Sequence, residues 1–216
     1  MKFTKKPLNA VNEKRTKVLI LETALRIASC EGIGGLTIGE LAKAVGMSKS
    51  GLFAHFKNKD DLQLQVLQLA VDRFVERVLR PAFFKPPGEA RIVAMFENWF
   101  EHLNDESELP GGSLLIAAST ELDDRPGVLR NFVQDSQKDL IRNIEKAAKI
   151  AVTAGDFRKN LDVEQFAWSL YSLVLGYHHF KRMLEDPKAE LHLQRSFGGL
   201  MRACRAERTI KTKKIS

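Results

Sequence analysis

Cysteine is scarce in this 216-residue chain: Cys30 and Cys204 are the only two, and their spacing fits no metal or redox motif. A chain with so little sulfur suits a reducing cytoplasm. Long apolar runs are missing as well. No stretch approaches the ~20 residues needed to span a bilayer, and "MKFTKKPLNAVNEKR" has no apolar signal core. No membrane partner and a cytoplasmic location are therefore expected. Long alternating segments and Asn-Gly or Asp-Gly turns are absent too, which argues against a strand ladder. There is no internal repeat. His178 and His179 have no third ligand at a suitable spacing, and adjacent helical residues diverge, so neither a metal site nor a resident cofactor is expected. Cys30 has no histidine partner in view, which leaves a helical enzyme as a remote alternative.

What is present is an ordinary globular composition, 44% hydrophobic and 28% charged, enough for a packed core in one domain or two small ones. The net charge of +7 is unevenly spread. Residues 1–62 carry net +5, residues 63–201 net −3 and residues 202–216 net +5. Two readings remain open: a solvated basic surface, or a polyanion partner that docks at the N-terminal end.

Helical periodicity recurs along the chain and defines an all-α fold. In "TKVLILETALRIASCEG", Val18, Leu21, Leu25 and Ala28 form one apolar stripe, and Gly32 is a natural stop. A helix from Asp60 to Arg80 is expected to close at Pro81. It would be about 30 Å long, a possible lever between two parts of the molecule. "FFKPPGEA" reads as a linker. A helix from Glu89 to Leu103 carries Ile92, Phe96, Trp99 and Leu103. After breaks at "ESELPGG" and "DDRPG", helices follow from Val128 to Ala154, from Asp162 to Leu184, and to a last end near Arg205. The expected organisation is an N-terminal head with a basic arm at 1–62, a larger helical domain at 63–205 and a basic, disordered tail at 206–216.

The head contains "GLTIGELAKAVGMSKSGLFAHF". Thr37 and Glu40 make a capping box, with Leu36 and Leu41 as its hydrophobic staple. Gly46 supplies a left-handed stop, and Ser48 caps a second short helix running to Phe56. This is a helix-turn-helix. Leu52 and Phe56, four residues apart, anchor the second helix, leaving Lys49, Ser50, Gly51, Phe53 and His55 on its outer faces. Its first turn lacks a carboxylate, so its amides and dipole are expected to be open to an external anion.

The stretch "LTIGELAKAVGMSKSGLFAHFKNKDDL" resembles the DNA-binding module of TetR-family transcriptional regulators, over residues 15–65. The resemblance rests on a preceding amphipathic helix, Thr37, Ala42, Gly46, Ser48-Lys49, the Leu52–Phe53–Phe56 block and Lys57-x-Lys59. It implies a three-helix head that binds double-stranded DNA, and a larger C-terminal helical domain that binds a ligand and dimerises. Thr37 and Lys59 fall where the family clamps phosphates. Ser48, Lys49, Ser50, Gly51 and His55 fall on its recognition helix. Phe53 departs from the tyrosine often found there, so it can offer packing against the sugar-phosphate backbone or, alternatively, against the core. The arm "KFTKK" may be read as groove-binding or as a frayed terminus.

The body is less telling. Ser169, Ser172 and Gly176 make a small-residue stripe on one helix, and Ala147, Ala151 and Ala154 make another. These suggest a four-helix interface in a homodimer, with intrachain packing as the alternative. Phe96, Trp99, Ser113, Phe132, Trp168, Tyr171, Tyr177 and His178 are candidates for an effector pocket, or ordinary core residues. The reading that follows is a dimeric repressor on an inverted-repeat operator, released by an unidentified small-molecule effector. A ligand-independent or protein-controlled DNA-binding regulator is the runner-up.

Overall fold

The computed structural model describes residues 8–206; the expectations for the arm and for the tail beyond Ala206 lie outside the described residues. The helices are α1 (Leu8–Gly35), α2 (Ile38–Ala44), α3 (Lys49–Phe53), α4 (Lys59–Phe74), α5 (Arg80–Phe83), α6 (Glu89–Asn104), α7 (Leu114–Glu121), α8 (Val128–Ala154), α9 (Val163–Arg182) and α10 (Ala189–Cys204). Among the described residues the one β-type pairing is an isolated bridge between Phe157 and Arg205. The all-α expectation therefore holds. No helix among the described residues is long and apolar enough to cross a membrane.

The chain forms two compact units, and they are not consecutive in sequence. One gathers the chain through Arg77 together with Glu101–Gln137; the other joins Val78–Phe100 to the chain from Lys138 onward. The described residues of the head expected at 1–62 lie in the first unit, which also takes α4, α7 and the start of α8.

In the first unit α1 packs against α4 and α7. Ile20, Ala24, Leu25 and Ala28 of α1 share one buried cluster with Leu62, Val66 and Leu67 of α4 and with Leu114 and Ala118 of α7. The stripe expected through Val18 is corrected: Val18 is 47% exposed and Ile20 is fully buried. Four consecutive apolar residues, Val18 to Leu21, make the phase ambiguous, and only the cover provided by α4 and α7 selects it. Gly32 does break the helix, with φ 78° and ψ 165°. Helix α7 was not foreseen.

The expected helix from Asp60 to Arg80 is also corrected. Helix α4 ends at Phe74, a π-helical segment covers Val75–Leu79, and Pro81 sits inside the first turn of α5. Proline lacks an N–H, but the first turn of a helix leaves that donor unused, so Pro81 is tolerated there rather than acting as a stop. The continuous lever is thus interrupted by a wider turn.

In the second unit, Ile92, Phe96 and Trp99 of α6 are buried, as are Phe166, Leu170 and Val174 of α9. Helix α10 packs on α9, and its Phe197 stacks on Phe96 with ring centroids 3.6 Å apart. Asp156 accepts the Glu89 amide at 2.9 Å, and Arg205 Nε donates to the Glu89 carboxylate at 2.8 Å, so the start of α6 is tied to the ends of α8 and α10.

Candidate nucleic-acid interface

The helix-turn-helix is built as its residues dictate. Thr37, in extended conformation, accepts the Glu40 amide on its Oγ1 at 3.2 Å and opens α2. Leu36 and Leu41, the staple pair, are both fully buried. At the other end Gly46 takes φ 69°. Met47 N–H then donates to Ala42 O at 2.9 Å and Gly46 N–H to Lys43 O at 3.3 Å, the paired bonds of a Schellman stop. A residue with a Cβ is strained at that φ, which is why glycine fits here.

Helix α3 is shorter than expected, ending at Phe53 rather than at Phe56. Its anchors hold nonetheless: Leu52 is fully buried and Phe56, just beyond the helix, is 3% exposed. One expectation is corrected. The first turn of α3 is partly closed: Ser48 Oγ accepts the Gly51 amide at 3.0 Å and lies 3.0 Å from Ser50 Oγ, so the Gly51 donor is not open to an external anion. A Cβ on Gly51 would sit 3.2 Å from that same Oγ, so the small residue leaves room for the cap. What α3 presents outward is side chains. Lys49 and Ser50 are exposed, His55 is half-buried, and Phe53 is 45% exposed, which overturns the core-packing reading of Phe53.

Helix α4 opens with Asn58, whose Oδ1 accepts the Asp61 amide at 2.8 Å. The Lys57 backbone N–H and the Gln65 side chain both donate to the Asp61 carboxylate, and these bonds hold its pKa below the usual carboxylate range. Lys59 is exposed, and its Nζ donates to Gly34 O at 3.1 Å. Gln63, a buried neighbour, donates to Ile33 O at 2.6 Å. From the other side, Glu121 at the end of α7 accepts the Ile33 and Gly34 amides at 2.9 and 2.7 Å. The two residues that follow the Gly32 kink, Ile33 and Gly34, are therefore gripped on both their carbonyls and their amides. This clamp sets where Thr37 begins α2. Glu121 carried no local signal in the sequence, because its partners lie 87 and 88 residues away.

The candidates for an effector pocket are divided between the two units. Ser113 and Phe132 belong to the first unit and the other six to the second. Ser113 caps α7, accepting the Ile116 amide at 3.4 Å. Phe96, Trp99 and Tyr177 are buried core residues, with Trp99 tilted against Tyr171 at 6.2 Å. Burial pushes the Tyr171 phenol up to about 12. Burial, then Arg182 and His179, lower the pKa of His178, whose Nε2 is buried without a hydrogen-bond partner. Trp168 is 65% exposed, a correction to its reading as pocket wall or core.

Two cavities do occur within the second unit. One, of about 190 Å³, runs between α9 and α10 and includes Ser172, Gly176 and Tyr177. The other, of about 210 Å³, includes Ala147 and Ile150 of α8 with Met95 of α6. Of the two small stripes, Ala151 is fully buried inside its own unit, which corrects its assignment to a subunit interface; Ala154 is exposed. Ser169, Ser172 and Gly176 are half-buried, and a Cβ on Gly176 would meet nothing within 4 Å.

Comparison with known proteins bears on this arrangement. Residues 20–66 match the family of bacterial regulatory proteins, tetR family, and residues 88–197 match the tetracyclin repressor-like C-terminal domain. Over 57 residues the chain is 37% identical to the HTH-type transcriptional regulator AcrR of Shigella flexneri, a match that spans 26% of each protein. A TetR-family transcriptional regulator from Cytophaga hutchinsonii has the same fold, with a TM-score of 0.79 at 21% identity over 91% of this chain and 98% of the other. AibR, solved with isovaleryl coenzyme A and operator DNA, gives a TM-score of 0.67 at 24% identity over 88% of this chain and 98% of its own. With a head matched at one end and half of the chain matched beyond it, the chain belongs to the TetR family of bacterial regulatory proteins.

Proposed function

We propose that this protein is a cytoplasmic, dimeric transcriptional repressor that reads an inverted-repeat operator and is released from it by a small molecule, without catalytic activity. The observation that carries the reading is α3. It turns Lys49, Ser50 and Phe53 outward while Leu52 and Phe56 fix it to the core. Short helices do not persist alone in water, so this packing presents a preformed reading surface to a DNA groove. The test is to map where the protein binds its own genome, then titrate compounds suggested by the neighbouring genes with and without operator DNA. Linkage requires the operator to weaken effector binding by the same factor as the effector weakens operator binding. Equal effector affinity in both titrations sinks the release mechanism.

Lys59 is assigned to a phosphate, although its Nζ rests on Gly34 O in the free protein. Lys59→Ala should weaken binding about equally on all sequences and reduce the salt slope by roughly one unit. An unchanged slope with a lowered melting temperature means that Lys59 serves only the Gly34 contact.

Dimerisation is proposed through α9 and α10. Trp168 on α9, Met183 just after it and Leu191 on α10 are large, apolar and exposed, and a second copy of the chain would cover them. Because a Cβ at Gly176 meets nothing within 4 Å and the residue borders the cavity between α9 and α10, Gly176→Leu should leave the monomer folded and shift the dimer toward monomer. Overpacking at an interface costs about 1–3 kcal/mol. Sedimentation that shows an unchanged dimer removes Gly176 from the interface.

A further inference from the structure

The cavity between α5, α6 and α8 contains a charge pattern that the repressor reading does not use. Its walls are apolar, with Leu79, Ala82 and Phe83 on one side and Met95, Ala147 and Ile150 on the others. The polar groups that line it are Arg91, Lys146 and Asn143, and no carboxylate lines it. Asn143, Lys146, Ala147 and Ile150 share one face of α8 at spacings of three and four, so the amide, the ammonium and the apolar floor converge on the same space.

Arg91 is the unusual member. Its Nη2 donates to Phe83 O at 3.3 Å and to Lys85 O at 3.1 Å, and its guanidinium lies 5.2 Å from the centre of the Phe83 ring. These contacts fix the fork. Its Nε–H, however, is buried with no acceptor. A guanidinium keeps its charge at any physiological pH, and a buried donor without an acceptor is costly. A fixed cation with an unused donor, a second cation nearby and no anion to neutralise them is complementary to an anionic head. The apolar walls are complementary to a hydrocarbon tail.

We infer that this cavity binds a small anionic amphiphile, its carboxylate or phosphate held by Arg91 and Lys146 and its apolar tail laid against Met95, Ala147 and Ile150. At about 210 Å³ the space lies below the range of ~300–1,000 Å³ common for drug-sized ligands, so the tail is short. The inference rests on the reading of the protein as effector-controlled and names the chemical class of that effector. Arg91, being a charge-assisted donor, would set the preference for an anion, and cavity size would set tail length.

The test uses the full-length protein and three probe series of matched, short tail length: alkyl carboxylates, alkyl phosphates and the corresponding alcohols. Titration calorimetry should give binding of at least one anionic series, with the alcohols at least tenfold weaker. The better of the two anions identifies the head group. Arg91→Met should erase the difference between anion and alcohol. Since Arg91 also ties the Phe83–Lys85 turn and its loss loosens that turn, Lys146→Met provides a second reading on an exposed residue and should reduce the preference several-fold. Ala147→Trp, which leaves both cations in place and fills the cavity, should abolish binding of every probe. No binding by any anion, alcohols that bind as well as anions, or full anion binding by Ala147→Trp each overturns the inference. Operator release separates it from the repressor reading. Anion binding that depends on Arg91 but leaves operator affinity unchanged supports the site and defeats the release mechanism. Release by the alcohols alone defeats the anion assignment and leaves the release mechanism standing.

Discussion

Leu52→Ala should destroy operator binding while leaving most of the helical content in place. Leu52 is fully buried, and it is the only buried residue within the five of α3. Removing it costs the transfer of its side chain plus the cavity left behind, about 2–5 kcal/mol for a buried leucine. A helix of little more than one turn has no reserve of its own, because isolated helices shorter than ~12–15 residues are marginal. The loss should therefore fall first on α3, which would unravel before the rest of the first unit. Circular dichroism should show a small loss of signal at low temperature, and operator titration a drop of at least a hundredfold. Ser50→Ala, at an exposed position on the same helix, should leave the melting temperature unchanged. A Leu52→Ala protein that binds operator within a factor of three would mean that α3 is held by something other than this anchor.

Glu121→Ala should have the second largest effect, far from any base. The carboxylate accepts two amides, those of Ile33 and Gly34, and nothing else is seen to take those donors. Leaving a buried donor unmade costs about 1–3 kcal/mol, less where water can reach it. Ile33 is fully buried and Gly34 is exposed, so the Ile33 amide should carry most of the loss. Hydrogen exchange at the Ile33 amide should speed up sharply, and operator affinity should fall at least tenfold because Thr37 is no longer held at a fixed point. Glu121→Gln keeps one acceptor oxygen and should fall between the two. If Ile33 keeps its protection in Glu121→Ala, the clamp is dispensable and the lysine and glutamine contacts on the carbonyl side suffice.

How much of this was legible follows from the range of the forces involved. Local rules locate the turn: Thr37 and Ser48 each take an amide three residues on, and the amides of Gly46 and Met47 reach carbonyls three and five residues back, so sequence alone locates both caps and the stop. Helix α8 was read with both ends correct because polar and apolar residues alternate along it at helical spacing and "DDRPG" marks its start. Helix α7 was missed because "LLIAASTE" is short and apolar nearly all round, with no periodic face to detect. Val18 was misplaced for a related reason, since a continuous apolar run has no phase until its neighbours impose one. Pro81 marks a helix end by residue type alone, yet a proline in the first turn is compatible with a helix, and only the surrounding chain decides between the two. The Ser48 bond to the Gly51 amide follows from the residue type alone, whether or not a carboxylate is present. Glu121 and Arg91 could not be found locally at all. The first acts across 87 residues, and the second matters only because three helices and a π-helical turn surround it with apolar walls.

The packing of α7 against α1 has a consequence for recombination. Regulators with a separable head invite chimeras, in which a reading head from one protein is spliced onto the sensor of another at the end of the head. Here the natural splice point would leave Ala118, Leu114 and Glu121 behind in the donor of the head. The transplanted head would meet a foreign α7, and the buried faces of Ala24 and Ala28 would have to accept whatever side chains it brings. A graft that carries Glu101–Gln137 together with the head keeps native surfaces in register. The smallest heritable cassette for DNA specificity in this protein is therefore two pieces of chain, not one.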